Sequence, residues 1–197
     1  MSALAAVVVA AGASRRMGRE KVLLPFGGST ILETVLETLA AAAVEEIVVV
    51  TRPDLPDAIA RARRFRALVV ENPRPEQEMI VSIRLGMAKV SAGAEAVFLW
   101  PADHPAVRRE TIERLARSAD PAAALIPRYE GRRGHPALIG RNLFAAVGQV
   151  PAGEGLHSLW RKRPELVREI EVADRGVILN CDTPQAYEEA RKDAGLL

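Results

Sequence analysis

The amino-acid sequence predicts a three-layer α/β fold with a mainly parallel central sheet. Short valine-rich runs without alternation, such as Leu4–Val9 and Glu46–Thr51, are typical of strands that are buried on both faces. Segments with helical spacing of apolar residues separate these runs, which is typical of parallel strands joined by helices. The chain has 197 residues, 49% of them hydrophobic, and we expect a single domain over residues 1–197.

The predicted elements alternate along the chain. After the strand Leu4–Val9, Thr30 and Glu33 form a capping box that begins the first helix. The further predicted strands are Glu46–Thr51, Leu68–Val70, Val97–Trp100, Ala123–Ile126, Pro136–Ile139, Val167–Val172 and Val177–Asn180. The further predicted helices are Pro56–Phe65, Ile80–Lys89, Arg108–Arg117, Arg141–Val147, Leu156–Arg163 and Thr183–Lys192.

The loop after the first strand combines small residues with positive charge. Because the small residues have almost no side-chain bulk, several backbone N–H groups can turn toward one anion. These residues are Ala10, Ala11, Gly12, Ala13 and Ser14. Arg16 and Lys21 follow, and their charge would complement a polyphosphate. The spacing from Gly12 to Gly18 and Lys21 fits neither G-x-G-x-x-G nor the P-loop, and the alternative is an ordinary basic loop beside a buried strand.

Carboxylates follow two further predicted strands. Ligands of open α/β sheets bind beyond the carboxyl ends of the strands, so we expect Asp103 and Asp182 to meet the Gly12 loop at one edge. Two carboxylates beside a basic loop suit Mg²⁺ bound to a nucleoside triphosphate. Each has an alternative: Asp103 could cap the helix near Arg108, and Asp182 could form a capping box with Gln185.

Two histidines and the cysteine lie near the same predicted edge. His135, between Gly134 and Pro136, cannot sit inside a helix, and it either binds an acceptor or is a turn histidine without a ligand. His104 either lines the site or packs in a turn. Cys181 is expected to pack rather than react.

Charge, hydropathy and cysteine usage exclude several classes of partner. The net charge is +2 and the basic residues are spread along the chain, so no nucleic-acid partner is predicted. No secretory signal or long apolar stretch is visible, so no membrane partner is predicted either. A single cysteine excludes an internal disulfide framework, and we expect a cytoplasmic protein.

The glycine-containing loop resembles the signature loop of nucleotidyltransferases with a Rossmann-like fold, written roughly as L-A-A-G-x-S-x-R-M-G-x-x-K-x-L-L-P. The matching residues are Ala10, Ala11, Gly12, Ser14, Arg16, Met17, Gly18, Lys21, Leu23, Leu24 and Pro25. The resemblance implies the three-layer Rossmann-like nucleotidyltransferase fold, with Arg16 and Lys21 contacting the triphosphate.

Three shorter segments extend the resemblance, the first to the nucleotidyltransferase family as a whole and the other two to its branch that handles the molybdenum cofactor. Asp103–Pro105 matches an Asp-x-Pro segment that supplies a magnesium ligand, with His104 where glutamine or methionine is more usual. Gly131–Pro136 resembles Gly-x-Arg-Gly-His-Pro, and Asp182–Pro184 resembles a late Asp-Thr-Pro.

Two further segments match with substitutions. Gln77–Ser82 resembles a Gly-Met-x-x-Ser element that lies against the base, with Glu78 in place of the glycine. Gly153–His157 resembles a Gly-Asp-x-Gly-x-Arg element, with Glu154 for aspartate and His157 for arginine. The chain is identified as a member of the molybdenum cofactor cytidylyltransferase-like group.

This resemblance implies the transfer of a nucleoside monophosphate to a phosphorylated acceptor, with Mg²⁺ as cofactor and release of pyrophosphate. CTP is the favoured donor, because Ala11 stands where the guanylyl branch has glycine. Molybdopterin is the implied acceptor, and a molybdoenzyme or its chaperone is a candidate partner. The alternatives are a transferase for a sugar phosphate or another small phosphorylated alcohol, and a nucleotide-binding regulator without transfer activity.

The sequence therefore predicts a site of four parts. The catalytic residues are Arg16, Lys21 and Asp103, and the metal ligands are Asp103 and Asp182. The nucleotide-binding residues are Ala10, Ala11, Gly12, Ala13, Ser14, Arg16, Gly18, Lys21, Asn72, Pro73 and Ser82. The acceptor-binding residues are His104, His135 and Glu154.

Overall fold

The structure is a computed structural model that describes residues 3–12 and 17–197. The strands in these ranges are β1 (Leu4–Val9), β2 (Pro25–Phe26), β3 (Ser29–Thr30), β4 (Glu46–Thr51), β5 (Leu68–Glu71), β6 (Ala96–Pro101), β7 (Ala124–Tyr129), β8 (Arg132–Arg133), β9 (Ala137–Gly140) and β10 (Val167–Glu171). The helices are α1 (Ile31–Ala41), α2 (Pro56–Arg64), α3 (Met79–Met87), α4 (Arg109–Arg117), α5 (Phe144–Gly148), α6 (His157–Lys162) and α7 (Pro184–Asp193). Short 3-10 helices lie at Lys21–Leu23, Arg141–Leu143, Pro164–Leu166 and Arg175–Ile178.

Within the described part of the chain, eight strands form one mixed sheet in the order β10-β7-β9-β6-β1-β4-β5, with β8 on β7. The central strand β1 pairs in parallel with β4 and β6, and the pairs β4–β5 and β7–β10 are also parallel. Strand β9 runs antiparallel to both of its neighbours, β6 and β7. The predicted α/β fold with a mainly parallel sheet is confirmed.

Helices cover both faces of the sheet. Because successive side chains of a strand point to opposite faces, β1 contributes to two separate cores. Ala6 and Val8 pack on the face of α1, and Ala5 and Val7 pack on the face of α3. All four side chains are buried, which explains why Leu4–Val9 reads as an apolar run without alternation.

The ends of three helices show which side chains are used as caps. The predicted capping box of Thr30 and Glu33 begins α1. At α7 the hydroxyl of Thr183 accepts from the backbone N–H of Ala186, so the alternative of a capping box at Asp182 is wrong. At α4 the carboxylate of Asp174 accepts from the N–H of Arg108, so Asp103 does not cap that helix either.

One predicted strand, Val177–Asn180, is wrong. The segment Arg175–Ile178 forms a 3-10 helix that begins where the Asp174 side chain accepts from the N–H of Gly176. Val177 is fully buried, as its apolar character predicts, but its carbonyl accepts from the N–H of His135 rather than from a neighbouring strand. Burial was predictable here, whereas the backbone partner depended on the tertiary structure.

The described helices also differ from a membrane-spanning helix in length or hydropathy. Along residues 3–12 and 17–197, each helix is either too short or too polar to traverse a lipid bilayer.

The packing of α3 on the sheet generates a stability prediction at Gly86. A Cβ atom at this position would lie 2.4 Å from Cγ1 of Val7 and 2.9 Å from Cγ2 of Val50, both fully buried. We expect Gly86→Ala to lower the free energy of unfolding in urea by about 1–3 kcal/mol, because a close-packed interior cannot absorb the extra atom. The control is Gly148→Ala, whose Cβ would meet nothing within 4 Å. Equal losses in both variants would contradict the prediction.

Candidate active site

Three charged side chains meet beyond the carboxyl ends of β1 and β6. The ammonium nitrogen of Lys21 lies 2.5 Å from Oδ2 of Asp103 and 2.7 Å from Oδ1 of Asp182. The exposed fractions of the side chains are 13% for Lys21, 12% for Asp103 and 27% for Asp182. We call this group the Lys21–Asp103–Asp182 triad. It brings together residues that are far apart in the sequence, as predicted for the two carboxylates.

The sheet positions this triad through backbone hydrogen bonds. The N–H of Ala102 donates to the carbonyl of Val9 at 2.9 Å, which continues the pairing of β1 with β6 up to Asp103. The N–H of Cys181 donates to the carbonyl of Asp103 at 2.8 Å. The segment that carries Asp182 is therefore held against the end of β6 although no strand leads into it.

The contacts of Lys21 and Asp103 shift the pKa values of these two residues. Burial alone would raise the pKa of Asp103, but the hydrogen bond from Nδ1 of His104, at 2.9 Å, and the charge of Lys21 lower it well below its usual range. Burial alone would lower the pKa of Lys21, but Asp103 and Asp182 raise it. Lys21 and Asp103 are therefore both ionised near neutral pH.

Asp103 and Asp182 offer oxygen donors to a divalent cation that replaces the Lys21 ammonium group between them. The ammonium group of Lys21 already places a positive charge between the two carboxylates, which shows that their oxygens converge on one position. In the described ranges there is no cluster of three or more His, Cys, Asp or Glu side chains that could hold a metal ion. Mg²⁺ commonly takes one or two protein carboxylates and completes its octahedron with phosphates and water, so Asp103 and Asp182 are a sufficient protein donor set.

A cavity of about 230 Å³ lies beside the triad and is called the loop cavity. Five predicted nucleotide-binding residues line it: Ala10, Ala11, Gly12, Lys21 and Ser82. Pro75 and Gln77 also line it and were not predicted. Asn72 lies behind this lining, where its side-chain amide donates to the hydroxyl of Ser82 at 2.9 Å. Pro73 and Gly18 lie outside the lining, and the predicted residues Ala13, Ser14 and Arg16 fall outside the described residues.

A second cavity, of about 460 Å³, adjoins the first and is called the apolar cavity. Val9, Met79 and Pro101 line both cavities. The other apolar lining residues include Ile83, Leu99, Ile126, Leu156 and Trp160. Sequence reasoning missed this set, although the position of Leu99 and Ile126 near the carboxyl ends of strands could have signalled it. The charged and imidazole groups on its lining are Glu78, Arg133, His135, His157 and Arg161.

The predicted acceptor-binding residues occupy three different positions. His135 lines the apolar cavity, and its ring centroid lies 4.9 Å from that of His104. His104 is buried behind it, where it joins His135 to Asp103. Glu154 lies in a neighbouring polar recess and accepts from Lys162 at 2.8 Å. Only His135 of the three therefore lines the apolar cavity.

Two further groups near the triad differ in their chemistry. Nδ1 of His135 is buried without a hydrogen-bond partner among the described residues, and burial together with the charge of His104 lowers the pKa of His135 to about 4. Cys181 is fully buried, and burial raises the pKa of its thiol to about 12. The imidazole is thus neutral at pH 7, and the thiol is protonated and inert, as expected for a packing residue.

The depressed pKa of His135 predicts how stability depends on pH. Its ordinary pKa is 6.5, so as the pH falls the unfolded chain binds a proton before the folded protein does. The contribution of His135 to stability is therefore complete above about pH 6.5 and is lost as the pH falls toward about 4. We expect His135→Asn to flatten the decline of the free energy of unfolding in this window, measured by urea titration at several pH values. His157→Asn, at an exposed position, should leave the slope unchanged, and a His135→Asn slope like that of the unmodified protein would refute the prediction.

Comparison with known proteins identifies the family. Residues 6–169 match the MobA-like NTP transferase domain. Nicotine blue oxidoreductase of Paenarthrobacter nicotinovorans is 30% identical over 90% of this chain and 91% of its own length. The molybdenum cofactor cytidylyltransferase of Escherichia coli K12 is 28% identical over 98% of this chain and 97% of its own length.

Solved structures agree with this match. Rv0371c from Mycobacterium tuberculosis H37Rv has a TM-score of 0.85 and 26% identity, covering 97% of this chain and 98% of that protein. Its complex with manganese has a TM-score of 0.81 and 25% identity, covering 97% of this chain and 99% of that protein. The expected Rossmann-like nucleotidyltransferase fold is confirmed. The family match spans more than half of the sequence and includes most of β1, the glycine-containing loop and Asp103. The chain therefore belongs to the MobA-like NTP transferase family of nucleotidyltransferases.

Proposed function

We propose that this protein transfers CMP from CTP to the terminal phosphate of the molybdenum cofactor and releases pyrophosphate. The observation that carries the proposal is the meeting of the two cavities at Val9, Met79 and Pro101, next to Asp103. A nucleotide in the loop cavity and an acceptor in the apolar cavity would have their phosphates side by side at the triad. A molybdoenzyme or its chaperone would then receive the product.

The choice of CTP rests on the loop cavity. Ala11 lines this cavity at the position where the guanylyl branch has glycine, and it is 2% exposed. Its methyl group reduces the space available to a base, which supports the smaller pyrimidine. The similarity to the cytidylyltransferase of Escherichia coli over nearly the whole chain supports the same choice.

The apolar cavity supports an acceptor that carries a ring system. Leu99, Ile126 and Trp160 offer large apolar surfaces, against which a flat heterocycle can pack. A sugar phosphate would bury hydroxyl groups against these side chains, and each hydroxyl that does not reach a polar group of the lining would cost about 1–3 kcal/mol. This cost disfavours the alternative of a sugar phosphate. Neutral His135 would hydrogen-bond the acceptor, with His104 holding it from behind and Glu154 contributing from the neighbouring recess.

The residues of the site would act mainly by positioning and by neutralising charge. The acceptor oxygen attacks the α-phosphorus in line with the leaving pyrophosphate, and no covalent intermediate with the protein is needed. Backbone groups of Ala11 and Gly12, with Arg16 and Lys21, would bind the triphosphate. Asp103 and Asp182 would hold Mg²⁺, which when bound neutralises phosphate charge.

Two other functions compete with this proposal. A regulator without transfer activity has little use for two carboxylates that converge on one position, so the triad disfavours it. An oxidoreductase acting on an aromatic compound is favoured by the apolar cavity and by the similarity to nicotine blue oxidoreductase. Such an enzyme would need an electron donor, for example a reduced nicotinamide nucleotide, and ligand binding can therefore separate the two functions.

Thermal stabilisation by nucleotides tests the proposal. A ligand that binds only the native state raises the melting temperature, and a concentration 100 times the dissociation constant adds about 2.7 kcal/mol. We expect CTP with Mg²⁺ to give the largest shift among the four common ribonucleoside triphosphates and NADPH, each at the same concentration. A larger shift with GTP would overturn the choice of base, and a response to NADPH alone would favour the oxidoreductase.

The shared position of Asp103 and Asp182 predicts strongly non-additive variants. We expect Asp103→Asn and Asp182→Asn each to lower the affinity for Mn²⁺ in the presence of CTP at least about tenfold, measured by titration calorimetry. The double variant should lose little more than the worse single variant, because residues that act as a unit are not additive. Asp182→Asn should not remove a helix cap, since Thr183 rather than Asp182 caps α7, so any loss of stability would come from the broken ion contact with Lys21.

The control for this pair is Asp57→Asn, which removes one exposed negative charge from the first turn of α2. If Asp57→Asn weakens Mn²⁺ binding as much as Asp182→Asn does, the effect reflects net charge, and the two carboxylates do not form one cation site.

A further inference from the structure

Arg52 lies directly after β4 and is buried, although its side chain carries a full charge. Its guanidinium group makes three contacts. Nη2 lies 2.6 Å from Oε1 of Glu20, Nε lies 2.9 Å from Oδ1 of Asp54, and Nη1 donates to the carbonyl of Gly12 at 3.3 Å. A buried guanidinium group is tolerated only when it is paired in this way.

Two of these contacts lie at opposite ends of the glycine-containing loop. Gly12 is where the chain leaves β1, and Glu20 immediately precedes Lys21. One buried side chain therefore contacts the loop both at Gly12 and at Glu20. The second carboxylate oxygen of Glu20 is buried and has no partner among the described residues, so Arg52 provides the ion pair that holds this end.

We propose that Arg52 is a positioning residue, a clamp that holds Gly12 and Glu20 in place and thereby keeps the Gly12 backbone at the loop cavity and Lys21 beside the two carboxylates. Arg52 lies outside the lining of the loop cavity and acts only through Gly12 and Glu20. The inference rests on the proposed nucleotide-binding role of the loop.

The geometry needs an arginine. Its planar fork presents several N–H donors in fixed directions, which allows one side chain to reach Gly12, Glu20 and Asp54 together. A lysine places its three donors on a single nitrogen and cannot span both ends of the loop in the same way. The three variants Arg52→Ala, Arg52→Lys and Glu20→Gln should therefore differ in a graded manner.

Hydrogen exchange of backbone amides tests the clamp without any ligand. The N–H groups of Leu23 and Leu24 donate to Glu20 and Lys21 at 3.0 and 3.1 Å, just beyond the clamped end. We expect Arg52→Ala to accelerate the exchange of these two amides about tenfold or more. The N–H of Ala10, which donates to Val50 at 2.7 Å within the sheet, should exchange as slowly as before.

Nucleotide affinity provides the second measurement. We expect Arg52→Ala to raise the dissociation constant of CTP with Mg²⁺ about tenfold, with a smaller increase for Arg52→Lys and for Glu20→Gln. The matched control is Arg61→Ala, which breaks an ion pair of 2.7 Å with Glu33, outside the lining of the loop cavity, and should leave this constant unchanged. If Arg52→Ala does not fold, Arg52→Lys is measured on the same amides and the same ligand.

The outcomes separate the clamp from the proposed function. Unchanged exchange at Leu23 and Leu24 overturns the clamp, and so does equal acceleration at Ala10, which would indicate general destabilisation. An equal loss of affinity in Arg61→Ala also overturns it. If the unmodified protein fails to bind CTP, the proposed donor is wrong, whereas faster exchange confined to Leu23 and Leu24 still supports the clamp.

Discussion

The ion contacts of Lys21 with Asp103 and Asp182 are the interaction on which the site depends. Each of the three charges is partly buried, and each would be costly there without the others. The parallel pairing of β1 with β6 places Asp103 beside the glycine-containing loop, and the Cys181–Asp103 backbone hydrogen bond places Asp182. The central sheet therefore positions Asp103 next to the loop. The attraction between opposite charges keeps the Lys21 ammonium group between the two carboxylates.

The antiparallel strand β9 contributes the second half of the site. A strand that ran parallel to β6 would bring its carboxyl end to this edge, but β9 brings its beginning, with Ala137 opposite Leu99. His135 consequently lies at this edge of the sheet, on the side of the apolar cavity, and its ring contacts the ring of His104. The site thus has a charged half, built by the loop and the triad, and an apolar half, built by β6, β7 and α6.

A close approach of two backbones joins these halves. A Cβ atom on Gly134 would lie 2.4 Å from the carbonyl oxygen of Val177, so only glycine allows the Arg175–Ile178 helix to pack there. The N–H of His135 donates to that same carbonyl at 2.8 Å. The segment before Asp182 is therefore fixed on one side by His135 and on the other by Asp103, which explains how an irregular segment can position the Asp182 side chain.

Asp182 was predicted at the sheet edge from a strand that the structure replaces with a 3-10 helix, so the structure decided how it gets there. The sequence by itself determined most of the strands and helices, the buried character of β1, the capping box of α1 and the position of Asp103 at the edge of the sheet. These features follow from local periodicity, from capping chemistry and from the rule that parallel strands share an edge. The structure alone decided the ion contacts of Lys21, the apolar cavity, the role of Thr183 as the cap of α7 and the 3-10 helix at Arg175–Ile178. It also decided the position of Arg52. Each of these depends on which distant segments pack together, and a pattern of neighbouring residues carries no information about contacts across 82 or 161 positions of the chain.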